Sequence, residues 1–173
     1  MKRSTTSLGL LFLTAVLLGT GCGPSFVLST PPGFIELEEK YSPYDYRATT
    51  ADGVVIAARE IDNDRHGELG FWVRAIENRM RERGGYALLE SKTVKSADGV
   101  EGRQLRFGHD DQGSSGASAP AQGTGSARPH LYYLTIFVTE EKIFLVEVGG
   151  TKELVTSQAA AFDSVIASFH TGA

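Results

Sequence analysis

Two stretches, Leu131–Val138 (LYYLTIFV) and Ile143–Val148 (IFLVEV), are apolar at almost every position, and only the polar turn Thr139–Lys142 separates them. A strand with one face in water alternates apolar and polar residues, whereas a strand without that alternation is covered on both sides. The chain must therefore build a sheet whose central hairpin has a layer above it and a layer below. Other segments supply the flanking strands. Tyr44, Tyr46, Ala48 and Thr50 alternate with Asp45, Arg47 and Thr49, and Val54–Ile61 (VVIAAREI) returns across Asp52-Gly53. That dipeptide suits a type I′ hairpin turn, in which both central residues take positive φ. The same turn chemistry recurs at Ala97-Asp98-Gly99, between the strands Tyr86–Val94 and Val100–Phe107, and it explains the likeness of TADGV and SADGV without an internal repeat.

The covering layers are two helices. Glu68–Arg83 places Leu69, Val73, Ile76 and Met80 on one arc with Trp72 at its flank, and Gly84-Gly85 ends it. Arg79, Arg81 and Arg83 suit its negative C-terminal end, and Glu77 precedes Arg81 by four residues. These arginines read as a solvated helix end rather than an anion site. Phe71 points away from the apolar arc. Either a neighbouring segment such as the N-terminal stretch covers it, or it is an exposed aromatic available for partner contact. The last helix, Lys152–Ser168, carries Leu154, Val155, Phe162, Val165, Ile166 and Phe169 along one arc, with Thr151 as N-cap after Gly149-Gly150. The predicted order is β-β-α-β-β-β-β-α. The expected class is α+β: a largely antiparallel six-stranded sheet with helices on both faces, an α/β/α sandwich.

The N-terminus is read as an address. Lys2 and Arg3 precede the apolar run Leu8–Leu18, and the small residues Gly19, Thr20 and Gly21 precede Cys22, the only cysteine. The apolar run reaches about 16 Å as a helix, against a hydrocarbon core of about 30 Å. Leu18-Gly19-Thr20-Gly21-Cys22 resembles the lipobox of bacterial lipoprotein signals, with Gly19 where that family prefers Leu. The resemblance implies cleavage between Gly21 and Cys22 and lipidation of Cys22. Ordinary signal peptidase would cut the same bond and leave a free thiol. A single exported cysteine has no internal disulfide to form, and acylation accounts for it. Gly23 stands where the enteric inner-membrane retention signal has Asp, which by resemblance favours the outer membrane.

On this reading residues 1–21 are signal peptide, 22–42 a tether broken by Ser29-Thr30-Pro31-Pro32-Gly33 and Ser42-Pro43, and 43–170 the sandwich domain. The tether holds one short strand around Phe34–Leu37. Residues 110–129, rich in Gly, Ser and Ala, carry no large apolar side chain and are expected to be a disordered hairpin-loop insertion.

Pro32-Gly33-Phe34, Gly102-Arg103-Gln104-Leu105-Arg106-Phe107, the paired apolar strands and the closing Phe162, Val165, Ile166, Ser168 and Phe169 resemble the PsbP/DcrB-like group, over about residues 31–170. The resemblance implies an α/β/α sandwich, shared with a Ran-binding nuclear import factor. The group has no common active site, so no functional residue carries over.

Chemistry is hard to find in the chain. A formal net charge of −4, or −6 once Lys2 and Arg3 are removed, gives no basic footprint, so nucleic acid is not expected as a partner. His66, His109, His130 and His170 lie on separate segments without ligand spacing. Asp62-Asn63-Asp64-Arg65-His66-Gly67 begins like a calcium loop, but His66 takes the fifth position and Val73 the twelfth, where a bidentate Glu is needed. Gly149-Gly150-Thr151-Lys152 lacks the full phosphate-loop pattern, and no nucleophile elbow is present. No catalytic residue, metal site or cofactor is expected. The leading expectation is a non-catalytic lipoprotein, anchored in the cell envelope at the outer membrane and facing the periplasm or the surface. Its partners would be the membrane, through the anchor, and another envelope component, for instance part of a secretion, motility or cell-wall assembly. The alternatives are a small-ligand carrier or sensor with a pocket between sheet and helix, and a hydrolase whose site forms only in three dimensions.

Overall fold

A computed structural model describes residues 23–109 and 129–172. Within them, β1 (Ile35–Glu36), β2 (Tyr46–Thr49), β3 (Val55–Asp62), α1 (Leu69–Gly84), β4 (Ala87–Lys95), β5 (Glu101–His109), β6 (His130–Val138), β7 (Lys142–Thr151), α2 (Lys152–Ser157) and α3 (Ala159–Ser168) follow in sequence. The strands form one antiparallel sheet in the order β1-β2-β3-β7-β6-β5-β4. The sheet has seven described strands rather than six, because the short strand inside the expected tether joins its edge through Ile35↔Thr49 and Glu36↔Ala48. β6 and β7, apolar on both faces, lie inside the sheet as their composition requires.

The two faces have separate cores. Phe144, Val146 and Val148 of β7 point to the layer of α2 and α3, where Phe137, Phe162, Val165 and Phe169 join them. Ile143 and Leu145 point the other way, with Leu134 and Ile136, against Leu69, Trp72, Val73 and Ile76 of α1. The final helix is broken in two at Gln158 (φ −100°, ψ 10°). The Ser157 hydroxyl donates to the Leu154 carbonyl at 2.8 Å, a local bond of the kind that interrupts a helix. α3 thereby takes its own direction onto the sheet. Gly149 and Gly150 belong to β7 rather than to a turn, and Thr151 occupies the N-cap position without a side-chain capping bond. At Gly150 a methyl group would come within 3.2 Å of Val155.

Both hairpin turns use Asp-Gly, but not as type I′ turns. Only the glycines, Gly53 and Gly99, take positive φ (+91° and +90°), and each amide donates three residues back, to Thr50 and Ser96. These are three-residue loops in which a left-handed glycine ends a turn. α1 ends at Gly85, also left-handed, whose amide bonds to the Met80 carbonyl. Arg81 bonds Asn78 at 2.8 Å.

The expected tether needs correction. From Ser25 to Phe34 the chain is packed on the α2/α3 side, not free. Phe26 is 5% exposed and stacks on Phe169 at 5.4 Å, Phe34 is buried against Phe162, and Val27 and His170 exchange backbone hydrogen bonds of 3.0 and 2.8 Å. Two aromatic rings buried among Phe144, Phe162 and Phe169 outweigh the chain-breaking prolines. The signal segment with Gly21 and Cys22, and residues 110–128 of the loop, lie outside the described residues.

The sheet's two edges differ from its centre. β1 is only two residues long, and β4, at the other rim, is bulged between Leu88 and Glu90. Beside β4, the β4–β5 turn is tied to the C-terminal segment. Asp98 accepts from the Thr171 amide at 2.9 Å and from its hydroxyl at 2.7 Å. Burial alone would raise the Asp98 pKa, but these bonds, with one from Ser96, outweigh it and hold the group at about 2. A carboxylate held below its unfolded value stabilises the fold above the usual carboxylate range and loses that contribution as pH falls through its folded pKa. Stability should therefore decline between about pH 4 and about pH 2 in the wild type. The decline should be shallower in Asp98→Asn, as read from melting temperature against pH. Identical profiles for the two proteins would refute this linkage.

Candidate functional site

α1 packs over β4, β5 and β6, and beyond it on the same sheet face Ile61 of β3 stays 43% exposed. Beside the helix runs a cleft of about 430 Å³, walled by Trp72, Ile76 and Met80 from α1 and by Ile61, Ile143 and Leu145 from the sheet. Three features position these walls. The period of α1 turns its apolar arc to the sheet, yet none of its residues is fully buried. Asn63, 2% exposed, accepts from the Gly67 amide at 2.9 Å and from Trp72 Nε1 at 3.3 Å, and donates to the carbonyls of Gly67 and Thr139. One side chain thus joins the start of α1 to the β6–β7 turn and holds the indole inward. His66, at φ +48°, completes this loop, so the Asp62–Gly67 segment that resembled a calcium loop is a helix lead-in organised by hydrogen bonds. Among the described residues, no three His, Cys, Asp or Glu side chains cluster as metal ligands do.

At one end the cleft turns polar. Glu147 alternates with Leu145 on β7 and so faces the α1 side, where its side chain is only 8% exposed. Arg59, from the neighbouring β3, brings Nη2 to 3.2 Å from Glu147 Oε1, and the Tyr44 hydroxyl donates to Oε2 at 3.1 Å. The Arg59 guanidinium also lies over the Tyr44 ring, 5.5 Å from its centre. Arg59 Nε is buried without a hydrogen bond, whereas Glu147 Oε1 meets the guanidinium as an ion pair. Burial, and next the Glu147 carboxylate, push the Tyr44 phenol above its ordinary pKa. The same two causes, in the same order, push Tyr132 up further. Both phenols stay protonated at neutral pH and serve as hydrogen-bond donors. The result is an apolar trough ending in an ion pair whose carboxylate is buried, whose guanidinium is about a third exposed, and whose Arg59 Nε donor is unused. That arrangement can grip a ligand, and the described lining contains no Ser, Cys or His.

Phe71 is not part of this cleft. It is 53% exposed, edge-on to Trp72 at 5.1 Å, and lies over a shallow surface depression with Arg65 and Arg74. The N-terminal stretch that was one candidate to cover it packs on the opposite side of the sheet. Trp72, read as a flank residue, forms a wall of the cleft instead. Sequence inspection passed over Glu147, Arg59 and Tyr44. The available signal was a lone acid inside a doubly buried strand, which demands a partner from an adjacent one.

No family model matches the chain, and no curated protein matches it in sequence. Solved structures do match in shape. LpqN, involved in cell envelope biogenesis of Mycobacterium tuberculosis, aligns at a TM-score of 0.59 and 12% identity, covering 87% of this chain and 86% of its own. Cyanobacterial PsbP (CyanoP) from Synechocystis sp. PCC 6803 aligns at 0.50 and 16%, covering 90% and 97%. The Saccharomyces cerevisiae Ran-binding protein Mog1p aligns at 0.50 and 16%, covering 86% and 90%. The fold is therefore PsbP-like, in agreement with the resemblance read from the sequence.

Proposed function

We propose that the chain is a lipid-anchored, non-catalytic protein of the bacterial cell envelope that binds another envelope component along the α1 cleft. The observation that carries this reading is the apolar trough between α1 and the sheet, ending in the Arg59–Glu147 pair with an unused donor at Arg59 Nε. A surface of this kind recognises a partner through apolar contact and a few fixed polar groups. The lipobox-like Leu18–Cys22 supports the anchor, and the likeness in fold to an envelope-biogenesis protein supports the compartment. No described helix is long and apolar enough to cross a membrane.

A photo-crosslinking residue at Arg79, on the cleft rim, should capture a defined partner in intact cells, and one at Ala160 on α3 should not. Cys22→Ser should move the protein from the detergent to the aqueous phase on detergent partitioning and weaken the Arg79 adduct. Equal or absent capture at both positions would refute the cleft as the binding surface. The cleft also favours a second reading, a small-ligand carrier. In that case native mass spectrometry of protein taken from its own membranes shows a bound small molecule, and Ile76→Trp, which fills the trough, removes it.

A further inference from the structure

The anchor position and the docked N-terminal segment together determine how the domain stands on a membrane. From Ser25 onward the chain is held at successive points. The Ser25 amide and hydroxyl both donate to Glu60, at 2.8 and 2.6 Å, Phe26 is in the core, Val27 is bridged to His170, and the Ser29 amide donates to Ser168 at 3.1 Å. Only Gly23 and Pro24 lie between Cys22 and this fastened segment. Three Cα-to-Cα steps reach at most about 11 Å at ~3.6 Å each. A free twenty-residue tether would instead average roughly 25 Å.

Ser25 lies at one end of the sheet, sharing a concavity with the β6–β7 turn residues Glu140, Glu141 and Lys142 and with Thr171. The Asp62–Gly67 loop is joined to that turn through the Asn63 amide and the Glu141 carbonyl at 2.8 Å. The Thr50–Gly53 turn is at the other end of β3, whose eight residues span about 26 Å at ~3.3 Å per residue.

The geometry points to a fixed orientation, resting on the lipid-anchor reading: the β6–β7 turn and the Asp62–Gly67 loop sit against the headgroups, and the Thr50–Gly53 turn points away from the bilayer. These two loops hold four carboxylates (Asp62, Asp64, Glu140, Glu141) against two cations (Arg65, Lys142), and the β4–β5 turn at the same end of the sheet adds Asp98 and Glu101 against Lys95. The end so presented therefore fits a zwitterionic headgroup surface. An anionic one repels it within the Debye length of about 8 Å at physiological salt, and the domain then pivots outward at Gly23-Pro24.

The test uses lipidated full-length mature protein in phosphatidylcholine vesicles carrying a headgroup spin label. With Cys22 acylated, a cysteine introduced as Glu141→Cys or Asp52→Cys is the only thiol open to a fluorophore. Quenching is expected to be several-fold stronger at position 141 than at 52, and to weaken at 141 when phosphatidylglycerol is added at low salt. Inserting about twenty Gly-Ser residues between Gly23 and Pro24, a coil of roughly 25 Å, should abolish the difference without disturbing the fold. Equal quenching at the two positions in vesicle-bound protein would overturn the orientation alone. Failure to float with the vesicles at all would overturn the anchor on which it rests.

Discussion

Phe169→Ala is expected to destabilise the domain by about 3–5 kcal/mol, the range for emptying a buried phenylalanine site. At about 2–4 °C per kcal/mol for a domain of this size, the melting temperature should fall by roughly 6–20 °C. Phe169 is 1% exposed. Its ring lies parallel to Phe137 at 5.1 Å, stacks on Phe26 at 5.4 Å and meets Phe144 edge-on at 5.8 Å. It therefore touches the sheet centre and the docked N-terminal segment at once, and neither can close over the void without giving up the other. Limited proteolysis near Ser25–Thr30 should accelerate in the same variant, because Phe26 loses its stacking partner. A loss below about 1 kcal/mol in urea denaturation, well under the range for such truncations, would mean that the site collapses and that this cluster does not organise the core.

Arg59→Met should be comparably severe, at about 3–5 kcal/mol, because it strands the Glu147 carboxylate in a desolvated position. The two partners are not equivalent. The Arg59 side chain is 35% exposed and that of Glu147 is 8% exposed, so Glu147→Gln leaves a guanidinium that water can reach and should cost less. The double variant Arg59→Met with Glu147→Leu removes both charges, and apolar replacement of a buried pair is often neutral or stabilising. It should recover most of the loss, giving a large coupling term in a double-mutant cycle. Additive single and double effects would show that the pair is not coupled. The outcome bears on function as well. A pair that adds little to stability, placed at the mouth of an apolar trough with one unused donor, would fit the proposed recognition role.

The parts of this fold that follow from local pattern were legible in the sequence. Leu131–Val138 and Ile143–Val148 had to lie inside the sheet because neither face tolerates water, and Gly85 had to end α1 because its left-handed φ of +64° favours glycine. What was missed depends on distance. Glu147 and Arg59 meet only because β7 pairs with β3, so no spacing along the chain announces them. The N-terminal stretch was misread because Pro31, Pro32 and Gly33 argue for coil locally. The burial of Phe26 and Phe34 depends on a surface built by residues more than a hundred positions away. The break at Gln158 lies beside a Ser157 hydroxyl bonded to the carbonyl three residues back, which no periodicity announces. Phe71 could be placed outside the apolar arc from periodicity, but whether anything covered it required the fold.

The two rims of the sheet have a consequence for crowding. A chain confined to a membrane plane meets copies of itself far more often than one in solution, and an open strand edge is a template for stacking them. Here one rim is a two-residue strand. The other is kinked at Leu89 and carries Lys92 and Lys95, so its exposed Leu88 and Leu89 cannot align as a flat ribbon. Edge-to-edge stacking of copies is thereby disfavoured, and straightening the kink by deleting Leu89 would remove that protection.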